Sequence, residues 1–289
     1  MSKPKKYRMA TPAMIATLTE LAVLAAVIAW PVPGQAGIIN IQSILATEAE
    51  EGLSGSVTGS LDWRAGNSER LTTSLATMAR YKTGKHLIIG LARGDLFRNG
   101  DGTVERNTFE HARYRYSIDT RLLGELFVQH EFSEVRRLDL RALVGIGPKV
   151  DILRDERFYV SLGVAYMLEY EHLQDQWKVD ADADDTEDTV LNHRLSSYVT
   201  ASYELDEDRM AVTQTLYVQP RITDPADVRL LGESQLTVNL TRRLSLTTSF
   251  VLALDSKPPV QDSTVPAAER EPDVEPYDTT LKSAITYSF

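Results

Sequence analysis

Hydrophobic and polar positions alternate along most of this chain. Counting back from the end, Tyr277, Thr279, Leu281, Ser283, Ile285, Tyr287 and Phe289 share one face, while Asp278, Thr280, Lys282, Ala284, Thr286 and Ser288 share the other. A period of two belongs to a β-strand, whose successive side chains point to opposite sides of a sheet. The alternation recurs over 53–65, 71–81, 86–96, 108–118, 122–132, 138–147, 158–171, 191–204, 209–219, 228–240 and 244–254, which with the last segment makes about twelve strands. In 158–171, for example, Phe158, Val160, Leu162, Val164, Tyr166, Leu168 and Tyr170 face one side, and Tyr159, Ser161, Gly163, Ala165, Met167, Glu169 and Glu171 the other.

Strand length narrows the fold class. Soluble sandwich strands usually hold about five or six residues, whereas most of these run ten to fourteen. At ~3.3 Å per residue and ~40° of tilt, roughly eleven residues rise about 28 Å, close to the hydrocarbon thickness of a bilayer. The pattern therefore predicts an all-β protein, a single antiparallel transmembrane β-barrel, with the barrel over 53–289. An even number of strands leaves both ends on one side. Short turns are expected there at 82–85, 119–121, 205–208 and 241–243, with a longer one at 148–157; loops at 97–107, 172–190, 220–226 and 255–276 fall on the other side. The aromatic-ended last strand, carrying Tyr277, Leu281, Ile285, Tyr287 and Phe289, resembles the insertion signal of outer-membrane barrels, which the barrel assembly machinery reads.

The first 36 residues supply an address. Lys3, Lys5, Lys6 and Arg8 form a basic head, the apolar run Leu21–Trp30 follows, and small residues at Gly34 and Ala36 end a Pro-rich stretch. This is the layout of a secretory signal peptide, with cleavage expected near Ala36. Glu20 interrupts the apolar run and leaves it short of the ~20 residues a retained helical anchor needs. Residues 37–52 then form a periplasmic lead-in, and the destination is the bacterial outer membrane. Loss of four basic residues and Glu20 with the leader moves the formal charge from −10 to −13, which excludes a phosphate-neutralising nucleic-acid binder. The absence of cysteine removes disulfides, thiolate nucleophiles and cysteine metal sites together.

Turn geometry tests the register of the inner face. A turn centred on residue 120 places Arg115 opposite Glu125; a loop centred on residue 135 places Gln129 opposite Arg141 and Glu131 opposite Asp139. Opposite charges at cross-strand positions suit a polar interior, where an unpaired charge is expensive. Arg113, Lys282, Arg80, Arg194, Glu204 and Glu233 have the same parity. Such a set is either a charged lumen that selects a solute or a salt-bridged interior that holds a narrow barrel together.

Several segments, Gly55–Val57, Ser60–Asn67 (SLDWRAGN), Leu138–Pro148 (LDLRALVGIGP) and Leu281–Phe289, resemble the salt-induced outer-membrane proteins, a family of porin-like barrels of uncharacterised function. The likeness covers about 53–289. It implies the same address and shape and carries no catalytic residues to transfer.

Candidate chemistry is sparse. Asp180, Asp182 and Asp184 alternate as the first ligands of a calcium loop do, but Asp185 replaces the required Gly and Leu191 the required Glu. A looser calcium or magnesium site, bridging to lipopolysaccharide phosphates, stands beside the plain reading of a solvated acidic loop. No other cofactor is expected. A membrane-embedded lipid hydrolase would need a Ser or Thr beside an outward histidine. His130 and His193 have that parity without a recognisable neighbour, and His111 falls inward with Arg113. The chain is therefore expected to be non-enzymatic, serving envelope integrity or narrow passage of small solutes. A lipid hydrolase and a soluble periplasmic lipid-binding barrel are the alternatives. Expected partners are outer-membrane lipid and lipopolysaccharide; the sequence leaves the oligomeric state open. Trp63, Tyr81, Phe132, Phe158, Tyr170, Tyr203, Tyr277 and Phe289 sit near strand ends, as aromatic girdles do.

Overall fold

The structure, a computed structural model, describes residues 49–64, 70–100, 102–175, 177–178, 188–206, 209–261, 265 and 274–289. The expected signal peptide over 1–36 and the acidic residues Asp180, Asp182 and Asp184 lie outside these. Twelve antiparallel strands close into one barrel: β1 (Gly52–Arg64), β2 (Arg70–Thr83), β3 (His86–Asn99), β4 (Val104–Ser117), β5 (Leu122–Ser133), β6 (Leu138–Arg154), β7 (Phe158–Leu173), β9 (Thr189–Asp206), β10 (Met210–Pro220), β11 (Val228–Asn239), β12 (Leu244–Asp255) and β14 (Tyr277–Ser288). Between them, the two-residue strands β8 (Trp177–Lys178) and β13 (Val260–Gln261) pair outside the barrel and tie two long loops together.

All barrel neighbours are consecutive in the chain apart from β8 and β13, and β14 closes on β1. Both ends of the barrel chain therefore lie at one rim, the turn rim. There β2 and β3 are joined by Gly84 and Lys85 alone, with Gly84 at φ 55°, a left-handed conformation that favours glycine. Between β4 and β5 the Asp119 carboxylate accepts the backbone N–H groups of Arg121 (2.7 Å) and Leu122 (2.8 Å). These bonds hold its carboxyl below the usual carboxylate range. The expected long turn at 148–157 is instead short, because β6 runs on to Arg154 and pairs with β7 down to Tyr159. The sequence understated this strand because Gly147 and Pro148 interrupt its alternation.

The faces are the reverse of a soluble protein's. Large apolar side chains such as Leu75 (63% exposed), Ile146 (61%) and Leu281 (66%) cover the outer wall, while Arg141, Glu169, Arg194 and Thr200 are at most 1% exposed inside. An apolar belt running round the whole barrel far exceeds the few hundred Å² tolerated in water. With strands of this length, it marks a wall built to sit in hydrocarbon. A soluble lipid-binding barrel needs the opposite arrangement. Aromatic residues gather at the rims: Phe158 stacks on Tyr203 with ring centroids 4.5 Å apart, and Tyr287 lies beside Phe289.

Inside, aromatic rings lie over glycines on the neighbouring strand. Phe127 stands opposite Gly145 and Tyr198 opposite Gly163. A Cβ at Gly145 would come within 2.2 Å of the Phe127 ring, and one at Gly163 within 2.3 Å of Tyr198. The missing side chains let both rings turn across the lumen. Phe127 packs with Leu143, Ala165 and Met167, and Tyr198 with Tyr217, Leu231 and Ala253.

Candidate functional site

The lumen is divided lengthwise. Along β4 to β12 it is crossed by two ionic networks with an apolar cluster between them; along β14, β1 and β2 it borders a cavity.

The network nearer the turn rim centres on Glu125 of β5. Arg115 Nε donates to its Oε1 at 2.5 Å, and Arg113 Nη1 and the Tyr198 hydroxyl donate to Oε2 at 2.9 and 2.8 Å. Arg115 and Glu125 are direct cross-strand partners. Tyr198 reaches from β9, two strands beyond β5's neighbour, so this bond spans the interior. Nearby, Lys149 pairs with Asp151 and donates to the Tyr159 hydroxyl at 2.7 Å.

The network nearer the loop rim centres on Glu169 of β7. It accepts bonds from Arg141, from Arg194 Nε at 2.9 Å and from Arg229 Nη1 at 2.8 Å. Arg229 also donates to Glu171 (3.0 Å) and Asp255 (2.8 Å), and Arg194 to Asp227 (2.9 Å). Since β9 and β10 separate β7 from β11, the Arg229 bonds to Glu169 and Glu171 cross the barrel mouth, while Asp255 is its partner on the adjacent strand β12. From the β5–β6 turn Arg136 bends inward to pair with Glu131.

Other positions differ from the register read off the turns. Glu131 faces Arg141 and Gln129 faces Leu143, so the predicted pairs Glu131–Asp139 and Gln129–Arg141 are corrected by two residues. The cause is a register irregularity between Glu131 and Ser133, matched by another between Leu138 and Leu140. Asp139 is exposed rather than in the lumen set. His111 is buried in the lumen opposite Gln129, as its parity implied. Lys282 donates from Nζ to Ser74 Oγ at 3.2 Å. Glu169, Glu171, Arg229, Asp227 and Asp255 were not singled out by the sequence. For Glu169 and Glu171 the signal was present, since they share the inward parity of β7.

The open side is a cavity of about 290 Å³, whose wall includes Ser56, Thr58, Ser60, Thr280, Ala284 and Lys282, the charged Arg93, Asp95, Glu131, Arg136 and Glu233, and the apolar Met78, Leu91, Phe109, Leu231 and Val251. On the outer wall, His130 Nδ1 lies 2.6 Å from Glu110 Oε2, and His193 Nδ1 lies 2.5 Å from the Tyr166 hydroxyl. Among the described residues, no three His, Asp or Glu side chains converge as metal ligands.

A direct test of the lower network follows. Arg115→Glu should destabilise the barrel sharply in urea titrations followed in lipid, because Glu125 would face a second carboxylate. Adding Glu125→Arg should restore only part of the loss, since Arg113 and Lys149 would then repel the new guanidinium. Complete rescue would mean that Arg113 does not share the Glu125 carboxylate.

The family model described as "Protein of unknown function, DUF481" matches residues 57–289, nearly all of the barrel. The chain belongs to the DUF481 family. No curated protein matches it. Solved structures similar to this DUF481 chain include the NanC porin, at 10% identity and a TM-score of 0.49, covering 81% of this chain and 98% of the porin. An outer-membrane channel from Pseudomonas putida F1 is similar at 12% identity and a TM-score of 0.47, covering 83% of this chain and 96% of the channel. The translocator domain of the autotransporter NalP from Neisseria meningitidis is similar at 11% identity and a TM-score of 0.47, covering 96% and 98%. The DUF481 barrel thus has a lumen filled on one side by paired charges and aromatic rings, and hollow on the other.

Proposed function

We propose that this DUF481 protein is a non-enzymatic barrel of the bacterial outer membrane that admits small solutes through a narrow, charge-paired lumen and contributes to envelope integrity. The observation that carries this reading is the divided lumen. Ionic networks bridge it near both rims and leave a hydroxyl-lined path along β14, β1 and β2. Paired charges with few unmet groups favour a rigid interior, and Ser and Thr hydroxyls can replace part of the hydration shell of a small polar solute. A leader cleaved near Ala36, assembly by the barrel machinery and lipopolysaccharide around the outer half of the wall belong to the same proposal. So does the setting of an envelope under salt stress, on the resemblance to the salt-induced proteins.

Planar-bilayer recording tests it. The purified protein is expected to show small unitary conductances, and Arg229→Ala, which removes the bonds crossing the mouth, to raise them severalfold. Silence of both proteins across a range of salts would overturn passage through the lumen.

A further inference from the structure

Along β2 to β5 the usual chemistry of the wall is reversed. Met78, Ile89 and Phe109 are buried on the lumen side, with Leu87 and Leu91 packed against them. The outer side of the same stretch carries small and ionisable residues in two adjacent rows. One row is Thr77, Ala92, Glu110 and His130 and the next is Ala79, Gly90, Ala112 and Val128, each residue the cross-strand partner of the one before it. Together they line a shallow recess of about 490 Å³.

Glu110 lies midway along β4, with Tyr116 on the same face toward the turn rim and Arg106 toward the loop rim. Its carboxylate is therefore held at the level of the lipid tails. Oε2 meets His130 Nδ1 at 2.6 Å, both side chains are half exposed, and Oε1 and Nε2 have no partner among the described residues. Among the described residues, no other carboxylate faces outward from the middle of a barrel strand. Ionisable groups at that depth almost always face protein or water, because hydrocarbon can meet neither charge. This face needs a cover that supplies one donor and one acceptor.

We propose that the outer face of β2 to β5 is the interface of a two-fold dimer, in which the Glu110–His130 pair meets the same pair of a second copy. Two barrels inserted the same way round are related by an axis along the membrane normal, which holds identical residues at identical depth. With that axis between Glu110 and His130, half a turn brings each Glu110 in front of the partner's His130. An imidazolium donates from both nitrogens, Nδ1 to its own carboxylate and Nε2 to the partner's, so two copies close a neutral ring of alternating charges. A lipid tail offers neither group. The same rotation turns the recess of one copy toward β6 of the other, where Val144 and Ile146 stand out from the wall. Small residues set against large ones let two convex walls approach closely enough for the ring to form. The interface leaves the lumen untouched, so it stands or falls apart from axial passage.

Sedimentation equilibrium in mild detergent is expected to give a dimer mass, and Glu110→Gln and His130→Phe each to raise the dissociation constant about tenfold. The exchanged pair, Glu110→His with His130→Glu, rebuilds the ring and should restore most of the association. A Cβ at Gly90 meets nothing within 4 Å, so Gly90→Leu fills the recess and leaves the barrel's own packing alone. It should weaken association by a similar factor at an unchanged urea midpoint, which separates loss of the interface from loss of the fold. In membranes, the lack of native cysteine lets Ala112→Cys serve as a single thiol. A short bismaleimide should join two copies through it and not through Leu252→Cys, on β12 across the barrel. A monomer at every concentration, equal cross-linking at the two thiols, or association indifferent to Gly90→Leu and to both pair variants would overturn the proposal. So would a monomer that retains lipid on this face.

Discussion

Replacing Glu169 with Ala is expected to cost about 3–5 kcal/mol of barrel stability, the range found when one partner of a buried ionic network is removed. Glu169 is fully buried and takes bonds from three arginines on three different strands, Arg141, Arg194 and Arg229. Its loss leaves three guanidinium groups close together with less than their share of carboxylate, in an interior where water cannot replace the missing bonds. Glu171, Asp227 and Asp255 remain for Arg229 and Arg194, so the barrel should still assemble and unfold at lower urea. Glu169→Gln should fall between the two, since the amide oxygen still accepts a bond while the charge is gone. Unfolding in lipid vesicles, followed by loss of the heat-modifiable band on gels, measures all three. An unchanged urea midpoint for Glu169→Ala would show that the arginines are satisfied by water in a wider mouth.

Deletion of Phe289 is expected to reduce assembled barrel severalfold. The residue contributes two backbone bonds that close β14 onto β1 at the turn rim, and its ring covers Gly55, where a Cβ would come within 2.8 Å of it. Along an ordinary pair of barrel strands one lost pair is a small fraction. At this seam it is one of five among the described residues, counting the four ladder pairs and the Gly55–Phe289 bonds. Phe289→Tyr should keep most of the assembled protein, because backbone bonds and ring are both retained. The measurement is the fraction of heat-modifiable protein in membranes of expressing cells at matched total expression. Normal assembly of the deleted chain would mean that Tyr287 and Ile285 suffice to close the wall.

The fold was legible because its signal is local. Every barrel strand announced itself by parity, since lipid outside and polar lumen inside impose opposite chemistry on neighbouring residues. Arg115 and Glu125 could be placed opposite each other because a tight turn with no bulge joins their strands. The same procedure failed by two residues for Glu131 and Arg141, where an irregularity sits beside Ser133 and nothing in the sequence marks it. The Glu169 network was illegible for a different reason: its bonds join β7 to β11 across empty space, and only the diameter and stagger of the barrel bring those strands within reach of an arginine. The Tyr198 bond to Glu125 depends likewise on Gly163, whose role is visible only once the ring is seen lying over it.

The division of the lumen has a mechanical consequence. Considered as a hoop, the barrel has one stiff arc, from β4 to β12, cross-braced by guanidinium–carboxylate struts, and one more compliant arc, β14 to β2, which borders the cavity. A change of lateral pressure in the surrounding leaflet loads the whole circumference equally, and the deformation gathers in the compliant arc. The cross-section would then flatten on that side while the braced side keeps its curvature.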